Sequence, residues 1–298
     1  MSVDRQLLVV GAGTMGAQIA QQAALHAVDV TLVDVGEQQL RRAVDGNRTQ
    51  LERRVQRGKL DEGDARDALA RVATSTDLAA AARNADWVIE AIVEAEEPKR
   101  ALFAELDRLL PEHAGMATNS SNIVVSRLAD ATNRPDRCCN MHFFHPVLVM
   151  NVCEIVRGPQ TSDATMERAI AWSRRMERTP VVVEREIDGF IVNRVLGAAS
   201  REAFMLLAEG IATVEDIDIA TRAGLNWPMG PFQLADFSGL DTVLGVRRDR
   251  MLREHEPGDE ATVAILERLV AEGRLGRKSG RGFYDYSTDP PRPLPLPG

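Results

Sequence analysis

The stretch LLVVGAGTMGAQIA, residues 7–20, decides the fold. Four apolar residues run into Gly11-Ala12-Gly13-Thr14-Met15-Gly16, and small helix-forming residues follow. An apolar run stopped by glycine reads as a buried strand, and the G-x-G-x-x-G spacing reads as a turn that opens a helix. Gly11 allows the tight turn, Gly13 lets a pyrophosphate approach the backbone, and Gly16 permits close packing of helix on strand. The helix start offers free N–H groups and a favourable dipole to the phosphates. Asp34 closes the next apolar run, DVTLVD (29–34), 23 residues after Gly11. That is near the spacing at which an acid reaches the ribose hydroxyls of a dinucleotide. An anion at Asp34 repels a 2′-phosphate, and Val35 and Gly36 follow in place of an arginine. The reading is NAD rather than NADP.

Working outward, β-rich runs continue to alternate with helical ones. ADWVIEAIV (85–93), GMATNS (115–120), CCNMHFF (138–144), VCEIV (152–156) and PVVVE (180–184) read as strands. Long helical stretches cover 37–57 and 61–72, which makes the second crossover longer than a simple βαβ unit needs. This alternation specifies a Rossmann-type, doubly wound α/β sheet over 1–186, covered on both faces. From residue 187 the pattern turns all-α. Asp188 is placed to cap a helix over 189–209, Thr213 with Asp216 opens another, and helical segments follow near 239–254 and 260–272. The tail STDPPRPLPLPG (287–298) carries five prolines and is expected to be extended and mostly disordered.

Composition narrows the class. The 298 residues carry a net charge of −8, which argues against a nucleic-acid surface. No apolar run approaches the length of a membrane helix, and MSVDRQLLVV lacks the layout of a signal peptide. Cys138, Cys139 and Cys153 are too few and too clustered for a disulfide framework, so a reducing compartment, the cytoplasm, is expected. Only Lys59, Lys99 and Lys278 are lysines among 36 basic residues, a skew that coding bias explains but that singles out each lysine for scrutiny.

HFFHPVLVMNVCEIV (142–156) places His142 and His145 three residues apart in an apolar setting. Along a strand successive side chains alternate faces, so the two histidines should point opposite ways. No further His or Cys stands at ligand spacing, and a shared metal site is not expected. A lone histidine in such a run is ordinarily a satisfied core residue. Glu154 alters that balance, because it interrupts a second apolar strand and a buried carboxylate needs a partner. An adjacent strand can bring it to His142, where it would fix the imidazole tautomer and favour the protonated form.

At this point the chain resembles the L-3-hydroxyacyl-CoA dehydrogenase family, which includes 3-hydroxybutyryl-CoA dehydrogenases. The resemblance runs from Leu7 to Tyr286 and is carried by VVGAGTMGAQIA, WVIEAIVEAEEPKRALFAELD, ATNSSNIVVSRLA, HFFHPVLVMNVCEIV, DGFIVNRVL, WPMGPFQLADFSGLDT and GRKSGRGFYDY. It implies that His142 and Glu154 are the catalytic pair, with the family's twelve-residue separation. It also implies that Ser121 and Asn193 hold the substrate oxygen. Glu94, Lys99, Ser121, His145 and Lys278 then join the glycine loop and Asp34 on the cofactor side. The family has Asn at the positions of His145 and Ala95, so the contacts there are expected to change. Imidazole cannot copy a carboxamide's full set of hydrogen bonds.

Arg53, Arg54, Arg57 and Lys59 cluster at the end of the long crossover helix, the element that touches CoA in the family. The plain alternative is a solvated basic face. The family also implies a homodimer formed through the helical part, with FIVNRVLGAASREAFMLLAEG as either that contact or monomer core. Three other functions stay open on the sequence. One is a dehydrogenase of a sugar acid or small hydroxyacid, as in the gulonate dehydrogenase and crystallin-like branch. Another is a 6-phosphogluconate-type enzyme, which needs a catalytic lysine that no block here supplies. The last is a non-catalytic NAD-binding protein.

Overall fold

The computed structural model describes residues 5–254 and 258–296; the first four residues of the N-terminal reading and the last two of the tail lie outside them. Two compact units divide after Ile191, with Val192 opening the second.

The first unit holds one sheet of eight strands: β1 (Gln6–Val10), β2 (Asp29–Val33), β3 (Val72–Ser75), β4 (Trp87–Glu90), β5 (Gly115–Thr118), β6 (Cys138–Phe143), β7 (Val152–Val156) and β8 (Thr179–Val183). Their order is β3-β2-β1-β4-β5-β6-β7-β8, and every pairing is parallel except β6 with β7. Helices α1 (Thr14–Leu25), α2 (Glu37–Gln56), α3 (Glu62–Ala70), α4 (Leu78–Ala82), α5 (Glu96–Leu109), α6 (Ser126–Ala129) and α7 (Asp163–Arg175) complete this unit. In β1, Leu7 and Val9 join one core with Ile19, Leu40 and Trp172, while Leu8 and Val10 join another with Phe103 and Leu128. Alternating side chains thus feed two separate cores, which is why the strand reads as a continuous apolar run. The carboxyl ends of β1, β2, β4 and β5 deliver the site, at the point where the strand order reverses.

One strand escaped the sequence reading. Val72 was placed at the end of a helix over 61–72, but α3 stops at Ala70 and β3 begins at Val72. As a short, half-exposed edge strand, β3 has no apolar run to announce it.

The second unit comprises α8 (Val192–Ala208), α9 (Val214–Leu225), α10 (Pro231–Ser238), α11 (Leu240–Glu254) and α12 (Asp259–Ala271), with a small ribbon of β9 (Tyr284–Asp285) and β10 (Arg292–Pro293). Its core includes Phe204, Phe232 and Phe283, whose ring centroids lie 4.8–5.6 Å apart. Thr213 caps α9 by accepting the Asp216 N–H at 3.1 Å, as its spacing suggests.

Two expectations change here, and α10 is a helix the sequence pattern did not announce. α8 begins at Val192 rather than at 189, because Gly189 (φ +75°) and Phe190 (φ +47°) both take left-handed backbone conformations. α10 carries no local cap; its Phe232 and Gln233 N–H groups donate to Asp218 at 2.9 and 3.0 Å, a partner that proximity in sequence does not reveal. The tail is tied down through its described part. Arg292 and Pro293 pair with Asp285 and Tyr284, and Arg274 donates to the Pro295 carbonyl at 2.8 Å.

Candidate active site

The glycine loop is shaped by contact. Gly11 has φ +103°, and a Cβ there would meet the Ala91 carbonyl oxygen at 2.5 Å. A Cβ on Gly16 would lie 1.8 Å from the Gly11 carbonyl oxygen, whereas one on Gly13 would meet nothing within 4 Å. Space is therefore kept over Gly13 on the ligand side. No side chain caps α1, so its first N–H groups are left for an anion. Asp34 accepts the Ala12 N–H at 2.8 Å and the Gly36 N–H at 3.0 Å, and so ties β2 to the loop. A cavity of about 690 Å³ is lined by Gly11, Gly13, Met15, Asp34, Ile92 and Leu102, among others. These residues fit a dinucleotide.

At the other end of the sheet, the antiparallel register sets His142 directly opposite Glu154. Directly opposed side chains on one face are within reach of each other. His142 Nδ1 lies 2.8 Å from Glu154 Oε2. Glu154 is fully buried, and its Oε1 accepts the Ile191 N–H at 3.0 Å. The rings of Phe144 and Phe190 lie 4.3 and 5.6 Å from the imidazole. With Nδ1 engaged by the carboxylate, Nε2 is the nitrogen left for chemistry.

Between these ends lies a polar network of which the sequence named Glu94 and Lys99 but not Glu90, Thr118 or Ser120. Glu90, fully buried at the end of β4, accepts from Lys99 Nζ at 2.5 Å, from Thr118 Oγ1 at 2.6 Å and from the Ile92 N–H at 2.7 Å. Lys99 is itself 1% exposed, and its ammonium also lies 3.3 Å from Glu94. Glu94 in turn accepts from the Ser120 hydroxyl. Lys99 thus supports Glu94 from below, while Glu94 is the partly exposed member of the pair. The signal for Glu90 was the same as for Glu154, a carboxylate closing an apolar strand.

Residues 6–187 match the family model for the 3-hydroxyacyl-CoA dehydrogenase NAD binding domain, and 189–286 match that for its C-terminal domain. The chain belongs to the 3-hydroxyacyl-CoA dehydrogenase family. It is similar to a probable 3-hydroxybutyryl-CoA dehydrogenase of Bacillus subtilis, at 39% identity over 95% of this chain and 97% of the relative. It is also similar to the solved (S)-3-hydroxybutyryl-CoA dehydrogenase of Ralstonia eutropha, with 39% identity, a TM-score of 0.87, and 96% and 100% of the two chains covered. A diketoreductase structure, described for dual catalysis of dicarbonyl compounds, matches at 32% identity, a TM-score of 0.88 and the same coverage. As a member of this family the protein is an NAD-dependent oxidoreductase.

Within this dehydrogenase the remaining expected residues are placed as follows. Ser121 is half-buried in the loop after β5, where its hydroxyl accepts from Asn122 Nδ2 at 3.1 Å. β6 ends at Phe143, so His145 stands beyond the strand, exposed, and the alternation argument does not extend to it. Arg53 and Arg54 sit in the last turn of α2 and Arg57 at its C-cap, where the helix dipole by itself favours cations. In the second unit, Asn193 lies in the first turn of α8, and Lys278 Nζ is 2.5 Å from both carboxylate oxygens of Asp241. The cysteines offer no nucleophile. All three are buried, and burial pushes the Cys138 thiol up to about 12 and raises the thiols of Cys139 and Cys153 as well.

Proposed function

We propose that the protein interconverts a short-chain L-3-hydroxyacyl-CoA, such as 3-hydroxybutyryl-CoA, and its 3-ketoacyl-CoA, with His142 as the general acid and base. The observation that carries this reading is the buried His142–Glu154 contact at 2.8 Å. Bound NAD(H) supplies or takes up the hydride at C3. In reduction, protonated His142 gives its proton to the C3 oxygen as that oxygen becomes a hydroxyl; in oxidation the neutral imidazole removes it. Glu154 holds the tautomer through Nδ1 and stabilises the imidazolium. Ser121 holds the same substrate oxygen, and the aromatic rings beside His142 keep water from the proton path. Asp34 and Glu94 serve the cofactor, as does His145 without transferring a proton. Arg53, Arg54 and Arg57 bind the CoA phosphates.

A homodimer through the second unit belongs to this reading. Val192 and Val195 on α8, with Ile211 and Leu225 beyond it, are exposed apolar residues in the single chain. No helix among the described residues is long and apolar enough to cross a membrane. Three free cysteines suit the cytoplasm.

A second reading is reduction of a dicarbonyl compound that lacks CoA, favoured by the likeness to the diketoreductase. Initial rates with acetoacetyl-CoA and NADH, with a CoA-free diketone and NADH, and with gulonate and NAD separate the possibilities. The proposal expects kcat/KM to be highest for acetoacetyl-CoA. Preference for the diketone or gulonate overturns it, and inactivity with all three points to a non-catalytic protein.

A further inference from the structure

Within β6, every residue is buried, and most are apolar or thiol-bearing. Asn140 breaks that pattern. It is 0% exposed, and an apolar residue would fill the same space without the cost of burying an amide. Two residues before His142, it shares the same face of the strand.

All three of its side-chain hydrogen bonds go to one loop. Asn140 Oδ1 accepts the Val125 N–H at 2.8 Å, and Nδ2 donates to the Ile123 and Ser120 carbonyls at 3.0 and 3.3 Å. The amide's orientation is dictated, since the N–H can only donate and the carbonyls can only accept. The parallel ladder of β5 and β6 ends at Thr118 and Asn140, so pairing with β6 no longer holds the chain beyond that point. Side chains take over: besides Asn140, Asn119 Oδ1 accepts the Phe143 N–H at 3.0 Å. From the other side, Ser120 is held by Glu94 and accepts the Ile123 N–H at 2.7 Å. Ser121 lies in this loop, and its place depends on the backbone around it.

We propose that Asn140 is a positioning residue: its carboxamide fixes the Ser120–Val125 loop against His142, so that an oxygen held by Ser121 stays within reach of the imidazole. This rests on the roles given above to Ser121 and His142.

The test uses the NADH-loaded enzyme with acetoacetyl-CoA, with active sites counted by NADH fluorescence titration to remove any misfolded fraction. Asn140→Ala is expected to lower kcat/KM for acetoacetyl-CoA by about tenfold or more, since small misplacements at a reacting centre are costly. The KM for NADH should change much less than that for acetoacetyl-CoA, because the glycine loop and Asp34 are untouched. Asn140→Asp points a second acceptor at two carbonyls. It should lose more than Asn140→Ala at pH 8 and recover towards it at pH 6, as protonation restores a donor. A role confined to stability would move the melting temperature and the count of active sites, and neither the per-site rate nor its pH profile. Unchanged per-site kcat/KM in Asn140→Ala, or a pH-independent loss in Asn140→Asp, overturns the proposal. If Asn140→Ala does not fold, Asn140→Asp at the two pH values carries the test. His142→Gln is measured alongside. If it is nearly silent the catalytic reading itself fails, whereas a large loss there with silent Asn140 variants overturns only the positioning role.

Discussion

The glycine loop after β1 and the β6–β7 pair both present a carboxylate from a strand, and they hold it by opposite means. Asp34 is half-exposed and accepts two backbone N–H groups, those of Ala12 and Gly36. Glu154 is fully buried and held by an imidazole on the paired strand and by the N–H of Ile191. The first end is built from backbone, glycine sterics and a helix dipole, so its tolerance is set by what a Cβ would strike. The second is built from side chains on paired strands, where removing one partner leaves the other buried and unsatisfied. Exchanging side chains should therefore matter far more at β6–β7 than around Asp34.

The sharpest break is at His142. His142→Gln should lower kcat by ~10²–10⁴, the ordinary contribution of a placed acid or base, with little change in the KM for NADH. Glu154→Gln should cost a substantial part of the same factor. The double variant should lose much less than the product of the two, because the pair acts as a unit. Steady-state kinetics with both substrates saturating check this, and multiplicative losses would mean that the residues act separately. His145→Asn should keep most of the activity.

A smaller effect is expected from the glycines, and it should differ between them. Gly16→Ala forces a Cβ to within 1.8 Å of the Gly11 carbonyl oxygen, so the loop must shift. Overpacking of this kind costs about 1–3 kcal/mol, to be read as lowered melting temperature together with weaker NADH binding. Gly13→Ala meets nothing in the protein and should leave stability within about 0.5 kcal/mol while still obstructing the cofactor. Equal melting temperatures for the two variants would show that the loop is soft.

Smaller again is the effect at Asp34. Asp34→Ala removes the acceptor for two N–H groups and the anion that repels a 2′-phosphate, so NADH should bind about fivefold more weakly, near the ~1 kcal/mol of a net hydrogen bond. Discrimination against NADPH should relax at the same time. Comparable activity of the unmodified enzyme with both cofactors would contradict the role of Asp34. The least effect is expected from replacing Arg53, Arg54 and Arg57 together by Gln. The KM for acetoacetyl-CoA should rise a few-fold at low salt and converge with that of the unmodified enzyme at high salt, because exposed ion pairs are weak and screened. An unchanged KM at low salt would leave the cluster as a solvated helix end.

The sequence by itself determined whatever depends on local period and residue type. The glycine spacing, Asp34 at the end of its strand, the alternation of strands and helices and the switch to helices before α8 are all of this kind. His142 and Glu154 were legible as candidates because each polar residue interrupts an apolar strand. Their meeting was suggested by the strand pattern and implied by the resemblance, but the contact itself required β6 and β7 to pair antiparallel with residue 142 opposite residue 154. Tertiary structure also decided that Glu90 and Glu94 share the buried Lys99, that Asn140 grips the loop carrying Ser121, and that Asp218 caps α10. The same holds for the proline-rich tail, whose composition suggested a loose end until β9 offered it an edge to pair with. Each of these is a contact between separate elements rather than within one. Such contacts are set by strand order and register, which local patterns do not encode.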